Sequence, residues 1–339
     1  MGRYIIRRAL FAIPTLIAIS FIIFLILDLA PGDPTAQLPL TIPPDVRERL
    51  RESLGMNDPM FLRWLKWMFQ FFIVEPINMI EQIFGITIGD SENRTRILSW
   101  SSRGPVVDVI IERIPQTLWV LGLAFVFGIV IAIPVGVISA YKQYSAFDNV
   151  GTFITMVGYS VPTFFTGLLA IVIFSVYLGW FPSFYDTTHV VDWTSWDSIW
   201  TQIQQMILPV AVLSLFNAAA LSRFTRSSVL DNLNEEYVRT ARSKGLRENK
   251  VMFRHVMRNS MIPVVTLIAL QIPGIFAGAI ITEQIFRING LGAYLISSIQ
   301  GGDVPAVQTL TFIFAALTVF FNLVADVTYG VLDPRIRYD

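Results

Sequence analysis

The chain is 339 residues long, 54% hydrophobic and only 15% charged, with 25 basic residues balancing 25 acidic ones. Soluble domains carry about a quarter charged residues, so this composition points to a membrane protein, and a net charge of zero argues against a general nucleic-acid surface. There is no Cys and there are only two His, His189 and His255, which excludes disulfides, thiolate metal sites and Cys nucleophiles.

Residues 1–8 hold Arg3, Arg7 and Arg8, and residues 9–27 follow without a charge. That run is longer than the core of a signal peptide, and no small-x-small cleavage site follows it. About twenty apolar residues at ~1.5 Å each cross a bilayer core. A first transmembrane helix with its N-terminus inside is therefore expected, stopped by Pro31-Gly32-Asp33-Pro34. Residues 35–113 are mixed in character. Residues 45–54 read as a soluble helix. Residues 59–74 are too charged to span, because Arg63 and Lys66 interrupt them. Their Trp64 and Trp67 suit a helix lying in the headgroup zone. Residues 77–89 are apolar but short and broken by Glu81, which suits an interfacial or re-entrant position.

Charge-free runs follow. Residues 114–141 form the second expected span, and Gly128, Ala132 and Gly136 recur four apart along it. Such a stripe lets another helix approach closely. Lys142 and Asp148 mark a short loop, and residues 149–185 contain the third span with Pro162 inside it. The next loop carries Asp186, Asp192 and Asp197 without Lys or Arg. Residues 198–222 hold the fourth span, and residues 259–282 the fifth, with Gly274 and Gly278 four apart. Residues 287–303 contain the turn Asn289-Gly290-Leu291-Gly292. The sixth span begins with residues 304–325 and runs past Asp326 to about Leu332, before a polar, basic tail.

The organising stretch is residues 230–263, polar and basic between two apolar runs, with Arg239, Arg242, Lys244, Arg247, Lys250, Arg254 and Arg258. Gly245 divides it. Residues 232–244 lack Gly and Pro and end on a basic residue just before a glycine, the usual way a helix stops. A second helical piece is expected after Gly245, running to about Arg258. The bland reading is an ordinary cytoplasmic loop, since such loops are basic.

The residues themselves say more. YVRTARSKGL at 237–246, with RHVMRNSMIPVVT at 254–266, resembles the cytoplasmic loop of permease subunits of binding-protein-dependent ABC importers, and most closely their dipeptide/oligopeptide branch. The general pattern there is Glu-Ala-Ala, three residues, Gly, and later Ile-x-Leu-Pro. Here Arg239-Thr240-Ala241 stands in place of Glu-Ala-Ala, Gly245 matches, and Pro263 comes a few residues late; both departures are typical of the peptide branch. The opening RYIIRRAL…LAPGDP, the stretch PVVDVIIERIP at 105–115 and the ending LDPRIRYD resemble the same family.

The resemblance implies an all-α polytopic membrane protein of the type I ABC importer permease fold, with six transmembrane helices, both termini cytoplasmic and an extended external segment after the first helix. Its divisions are residues 1–104, an N-terminal helix plus external segment, and residues 105–339, a five-helix permease core with a coupling loop at 223–259. It implies a bacterial or archaeal inner-membrane location, a second homologous permease, two ATPase subunits and an external solute-binding protein. The cargo implied is a di- or oligopeptide; nickel, glutathione and oligosaccharides are alternatives within the branch. No cofactor is expected on this chain, since ATP and Mg belong to the ATPases. The residues implied in ATPase coupling are Glu236, Tyr237, Arg239, Thr240, Ala241, Lys244, Gly245 and Leu246. Ala241 is read as small so that the partner can approach, and Gly245 as setting the turn.

Charge counting agrees with this orientation. Short segments assigned inside hold Arg3, Arg7, Arg8, Lys142, the cluster 223–258, Arg335 and Arg337, while those outside hold only Arg287. That is the positive-inside pattern. No G-x-x-x-x-G-K-[ST] and no HExxH occurs, so the chain has no P-loop and no zinc-protease motif, and no His falls in an expected span to act as a base. His255 reads as a surface residue, since a lone His lacks the cluster that a metal needs. Residues 155–160 (TMVGYS) faintly match a potassium filter, but they open a long apolar run and not a re-entrant loop.

Polar residues inside spans remain. Glu283 and Asp326 either line the translocation path or bond helices together. Asn217, Gln271 and Asn322 lie deeper and carry the same two readings. The rival from another class is a stand-alone channel or secondary carrier, disfavoured by the long structured loop and by the lack of a clear inverted repeat with broken helices.

Overall fold

A computed structural model describes residues 2–29, 43–53, 55–89, 94–277 and 280–332, and these are helix and loop apart from the isolated bridge between Leu98 and Pro105. The expected stop at 31–34, Leu54, Gly278 and the basic tail from 333 onward lie outside the described residues.

Among the described residues five helices are long and apolar enough to cross a membrane: Ile6–Leu29, Val106–Tyr141, Trp196–Leu233, Glu248–Ile275 and Val304–Val327. A sixth crossing exists if the bent pair Ala146–Ser160 and Thr163–Tyr177, which meet at 102°, is one span. The all-helical expectation therefore holds, with its third member broken. Proline explains the break. Pro162 disfavours the helical conformation for the residue before it, and Val161 is extended (φ −84°, ψ 126°). The third span expected within residues 149–185, with Pro162 inside it, is thus bent at that proline.

Two other boundaries are corrected. The second span starts at Val106, not 114, because PVVDVIIERIP is itself helical. Pro115 sits inside that helix, and the π turn Leu118–Gly122 follows it, the kind of ladder adjustment often found near a helical proline. In the expected external segment, Pro44–Ser53 is helical as read. The two interfacial pieces read from 59–74 and 77–89 are instead successive parts of one run: Met60–Phe69, the π turn Gln70–Val74 and Glu75–Phe84. Gly85 ends it with a left-handed φ of 63°, as helices commonly end.

The chain divides into two compact units: residues 1–8, 115–293 and 320–339 in the first, and residues 9–114 and 294–319 in the second. The first is built around Trp196–Leu233. The small-residue stripe of the second span faces it: a Cβ on Gly128 would lie 2.9 Å from the Asn217 Cβ, and one on Gly136 would lie 2.6 Å from the Ser222 carbonyl oxygen. Ala132 between them is fully buried with Ala218, Leu221 and Val264. The close approach that the stripe allows is thus used within this chain. At the far end of the same helix, Arg226 forks onto Asp148 with bonds of 2.7 and 2.8 Å, tying down the start of the broken helix.

The second unit is organised by polar contacts that tie residues 96–100 to Glu75, Asp108 and Asp303. Arg96 bonds Glu75 at 2.7 Å and Asp108 at 2.7 and 2.8 Å, and Glu75, 2% exposed, also accepts the Ile97 N–H. Two carboxylates hold the Arg96 guanidinium in its charged form more firmly than usual, the Asp108 bond first. Asp303 accepts from the Ser99 hydroxyl and from the Trp100 N–H. Trp67 packs edge-on to Phe312 at 5.3 Å.

Candidate functional site

The basic stretch folds as an elbow. The helix Trp196–Leu233 runs past its expected end, and the next helix, Glu236–Ser243, is shorter than the 232–244 read from the sequence. The break lies at Asn234 and Glu235, where the chain leaves helical geometry. The expected second piece is not separate either. Glu248–Val251, the π turn Met252–Val256 and Met257–Ala277 follow without interruption, because no Gly or Pro stands between Leu246 and Ile262. The short helix therefore connects by one turn straight into the fifth span.

That turn is a complete Schellman motif. The Gly245 N–H donates to the Arg242 carbonyl at 2.9 Å, and the Leu246 N–H donates to the Ala241 carbonyl at 3.4 Å. Gly245 has φ 72°, which a side chain with a Cβ adopts only at a cost of roughly 1–2 kcal/mol. The reading that Gly245 sets the turn holds. Arg242 and Glu248 close the turn from outside with bonds of 2.6 and 3.2 Å.

The short helix is two-faced. Val238 and Ala241 are buried against Val229, Val251, Met252, Val256 and Ala140, with Tyr237 and Leu246 packed at the edge of the same cluster. The Tyr237 hydroxyl donates to Asn232 at 2.6 Å. Glu236, Arg239, Thr240, Ser243, Lys244 and Gly245 face outward. Ala241 is thus small because it fills a gap against its own chain, which corrects the reading that its smallness serves a partner. Sequence reasoning also missed Phe253, 71% exposed between Lys250 and Arg254; an aromatic within a basic run was its one visible signal.

The path candidates separate. Asn217 and Gln271 come together on the wall of a cavity of about 620 Å³, with Tyr159, Thr163, Phe216 and Thr282. Tyr159 stacks on Phe216 at 5.9 Å, and the Arg223 guanidinium lies over the Tyr159 ring at 4.5 Å from its centre. Tyr159 and Thr163 flank the break at Pro162, so the broken helix borders this cavity, and irregular backbone at membrane depth is tolerated where it lines a cavity. The sequence signal for Tyr159 was its place just before that proline.

Glu283 is elsewhere. It is fully buried, and its carboxylate accepts the Ala293 N–H at 2.7 Å and the Thr117 hydroxyl at 3.3 Å. Thr117 in turn accepts the Leu291 N–H at 2.8 Å. The group clasps the 287–293 turn and satisfies the start of the helix Leu291–Gln300. A Cβ at Gly290 would lie 2.5 Å from the Glu283 carboxylate and 2.6 Å from the Thr117 hydroxyl, so a side chain there would displace this pair. Asp326 pairs with Arg8 at 2.5 Å, and Asn322 is exposed on its helix. Among the described residues no group of three or more His, Cys, Asp or Glu could hold a metal ion.

Multiple spans, a largely apolar cavity between them that carries Asn217 and Gln271, and a basic elbow fused to two of them define the membrane subunit of a transporter. The chain belongs to the family of binding-protein-dependent transport system inner membrane components, which matches residues 132–338, and the N-terminal family of the same systems matches residues 1–121. It is 39% identical over the full length of both chains to the oligopeptide transport system permease protein AppB of Bacillus subtilis. It is 35% identical to the dipeptide transport system permease protein DppB of Escherichia coli K12, over 100% of this chain and 99% of that one. The glutathione transport system permease protein GsiC of E. coli O1:K1 is also 35% identical, over the whole of both chains. The chain is an inner-membrane permease of an ABC importer; a binding protein and an ATPase are its partners, and the ATPase performs the hydrolysis.

Proposed function

We propose that the chain forms half of the path by which di- or oligopeptides cross the membrane, the other half coming from a second, related permease. Two ATPase subunits dock beneath, and both termini lie on their side. Relatives named for oligopeptide, dipeptide and glutathione transport, all peptide cargoes, support this cargo class.

The observation that carries the coupling role is the elbow's build. Its apolar face is seated on its own chain, and its outer face presents Glu236, Arg239, Thr240, Lys244 and Gly245. Both ends connect to long helices, so a push on the outer face moves rods and not a slack loop. ATP binding that draws the ATPases together would in this way switch the cavity's accessibility. Tyr237, Ala241 and Leu246 act from beneath by shaping the elbow. Asn217 and Gln271 line the path, whereas Glu283 serves the 287–293 turn and Asp326 pairs with Arg8.

The extended segment forms a platform for the binding protein on the outer face. The loop after the broken helix shares that side. Its Asp186 and Asp192 are held below the usual carboxylate range by hydrogen bonds from the Thr188 and Thr194 side chains, so the loop stays anionic.

The test is charge reversal of the outer face. In the assembled transporter, Arg239→Glu with Lys244→Glu should release the ATPase subunits while the permease pair stays together. Retention of the ATPases at normal uptake would refute the assignment. Uptake by the chain without any ATPase would favour the channel reading.

A further inference from the structure

The second compact unit contains a cavity of about 870 Å³ that the transport reading does not use. Its apolar side comes from Phe24 and Leu27 of the first span and from Leu62 and Leu65. Its polar side carries Arg63 and Lys66, with Asp28 and Asp58 beside them. Arg63 pairs with Asp28 at 2.6 Å and also donates to the Asp58 carbonyl at 3.2 Å, and Lys66 pairs with the Asp58 carboxylate at 2.5 Å. Gln308 completes the wall. It is 4% exposed, and its side-chain nitrogen has no hydrogen-bond acceptor. A buried amide donor left without a partner is costly, and such exceptions call for an explanation.

Depth decides what the missing acceptor is. Asp28 is the residue before the end of the span Ile6–Leu29, and Gln308 lies in the second turn of the span Val304–Val327. The polar side thus sits at a membrane boundary, and the apolar side reaches back along the first span. Trp67 and Trp100 also line the cavity, and indoles favour the headgroup level. We infer that this cavity is a phospholipid headgroup site, in which a phosphodiester oxygen accepts from Gln308 and from further N–H groups of Arg63 and Lys66, whose carboxylate partners Asp28 and Asp58 balance their charge, and an acyl chain lies along Phe24 and Leu27. A free phosphate would use the polar wall alone and leave the apolar side unexplained.

The test uses the intact transporter, purified and delipidated in detergent, with phosphatidylglycerol added and native mass spectrometry as the readout. Gln308→Leu removes the unpaired donor, and Lys66→Met removes a charge from a half-exposed side chain whose loss leaves the core untouched. Each should weaken retention of the lipid about ten- to a hundredfold, the scale of one hydrogen bond to a charged group, with the melting temperature held. Millimolar inorganic phosphate should not displace the lipid. Equal retention by the parent and both variants would overturn the site. Displacement by phosphate, with phosphate itself bound, would overturn the lipid assignment in favour of a free-anion site. Because the readout is lipid mass, the result stands or falls independently of peptide uptake.

Discussion

Arg242 reaches across the Gly245 turn to Glu248, and both of its bonds go to the one carboxylate, at 2.6 and 3.2 Å. The pair joins the last turn of the short helix to the first turn of the fifth span. Both side chains are partly solvated, 42% and 38% exposed, so the pair stabilises the fold by no more than about 1 kcal/mol. On the proposed coupling, its value is stiffness where the elbow joins the fifth span. Arg242→Ala and Glu248→Gln should therefore leave the melting temperature nearly unchanged and raise the number of ATP molecules hydrolysed per peptide imported by about twofold, in line with a loss of well under 1 kcal/mol. A parallel measurement of both rates in proteoliposomes checks this.

Gly245 gives a graded series. Asn tolerates the left-handed conformation better than other residues with a Cβ, so Gly245→Asn should couple almost normally. Gly245→Ala should cost roughly 1–2 kcal/mol at the turn. Proline cannot reach φ 72°, because its ring fixes φ near −65°, so Gly245→Pro should reach the membrane yet fail to link hydrolysis to uptake. Uptake in the order Asn, Ala, Pro is the expected readout.

The helix crossing at Gly136 predicts a stability loss. A methyl there meets the Ser222 carbonyl at 2.6 Å and Thr225 at 2.7 Å, and overpacking of this kind costs roughly 1–3 kcal/mol. Gly274, part of the other glycine pair read from the sequence, has nothing within 4 Å. Gly136→Ala should lower the melting temperature in detergent, and Gly274→Ala should leave it unchanged.

Much of this was legible in the chain and some was not. The Gly128-Ala132-Gly136 stripe announced a close crossing because helical periodicity alone places those residues on one face. It could not name the partner helix, which depends on contacts remote in sequence. Gly245 was readable because a left-handed turn is a local property. Ala241 was misread because the sequence shows that a residue is small but not which way it faces. Pro162 was seen, yet a proline in a span either kinks or breaks it, and the 102° bend is not readable from the proline alone. Arg96 with Glu75 and Asp108 was invisible, since an ion triad built across loops has no periodicity.

Glu283 separates structure from transport. Glu283→Ala leaves the Ala293 N–H and its neighbours unsatisfied, a cost of roughly 1–3 kcal/mol, and Glu283→Gln keeps one acceptor oxygen. Thermal unfolding should rank parent, Gln, Ala, with uptake per folded molecule by Glu283→Gln close to normal. A stable Glu283→Gln with abolished uptake would return this carboxylate to the path.

The cavity residues should behave in the opposite way. Asn217→Leu and Gln271→Leu keep the side-chain bulk but remove the groups that replace water around a polar cargo. Uptake should fall about tenfold for a lost polar contact of ~1.4 kcal/mol, with the melting temperature and the ATPase association unchanged.

The absence of native Cys makes the decisive measurement clean. Single cysteines placed by Ser243→Cys on the elbow's outer face and by Trp193→Cys on the acidic loop can be probed in whole cells and in the assembled transporter. Ser243→Cys should be shielded from a membrane-impermeant maleimide added outside, and should cross-link to the ATPase subunit, while Trp193→Cys should label from outside. Labelling of Ser243→Cys from outside, or its failure to cross-link to any ATPase while uptake proceeds, would contradict the account.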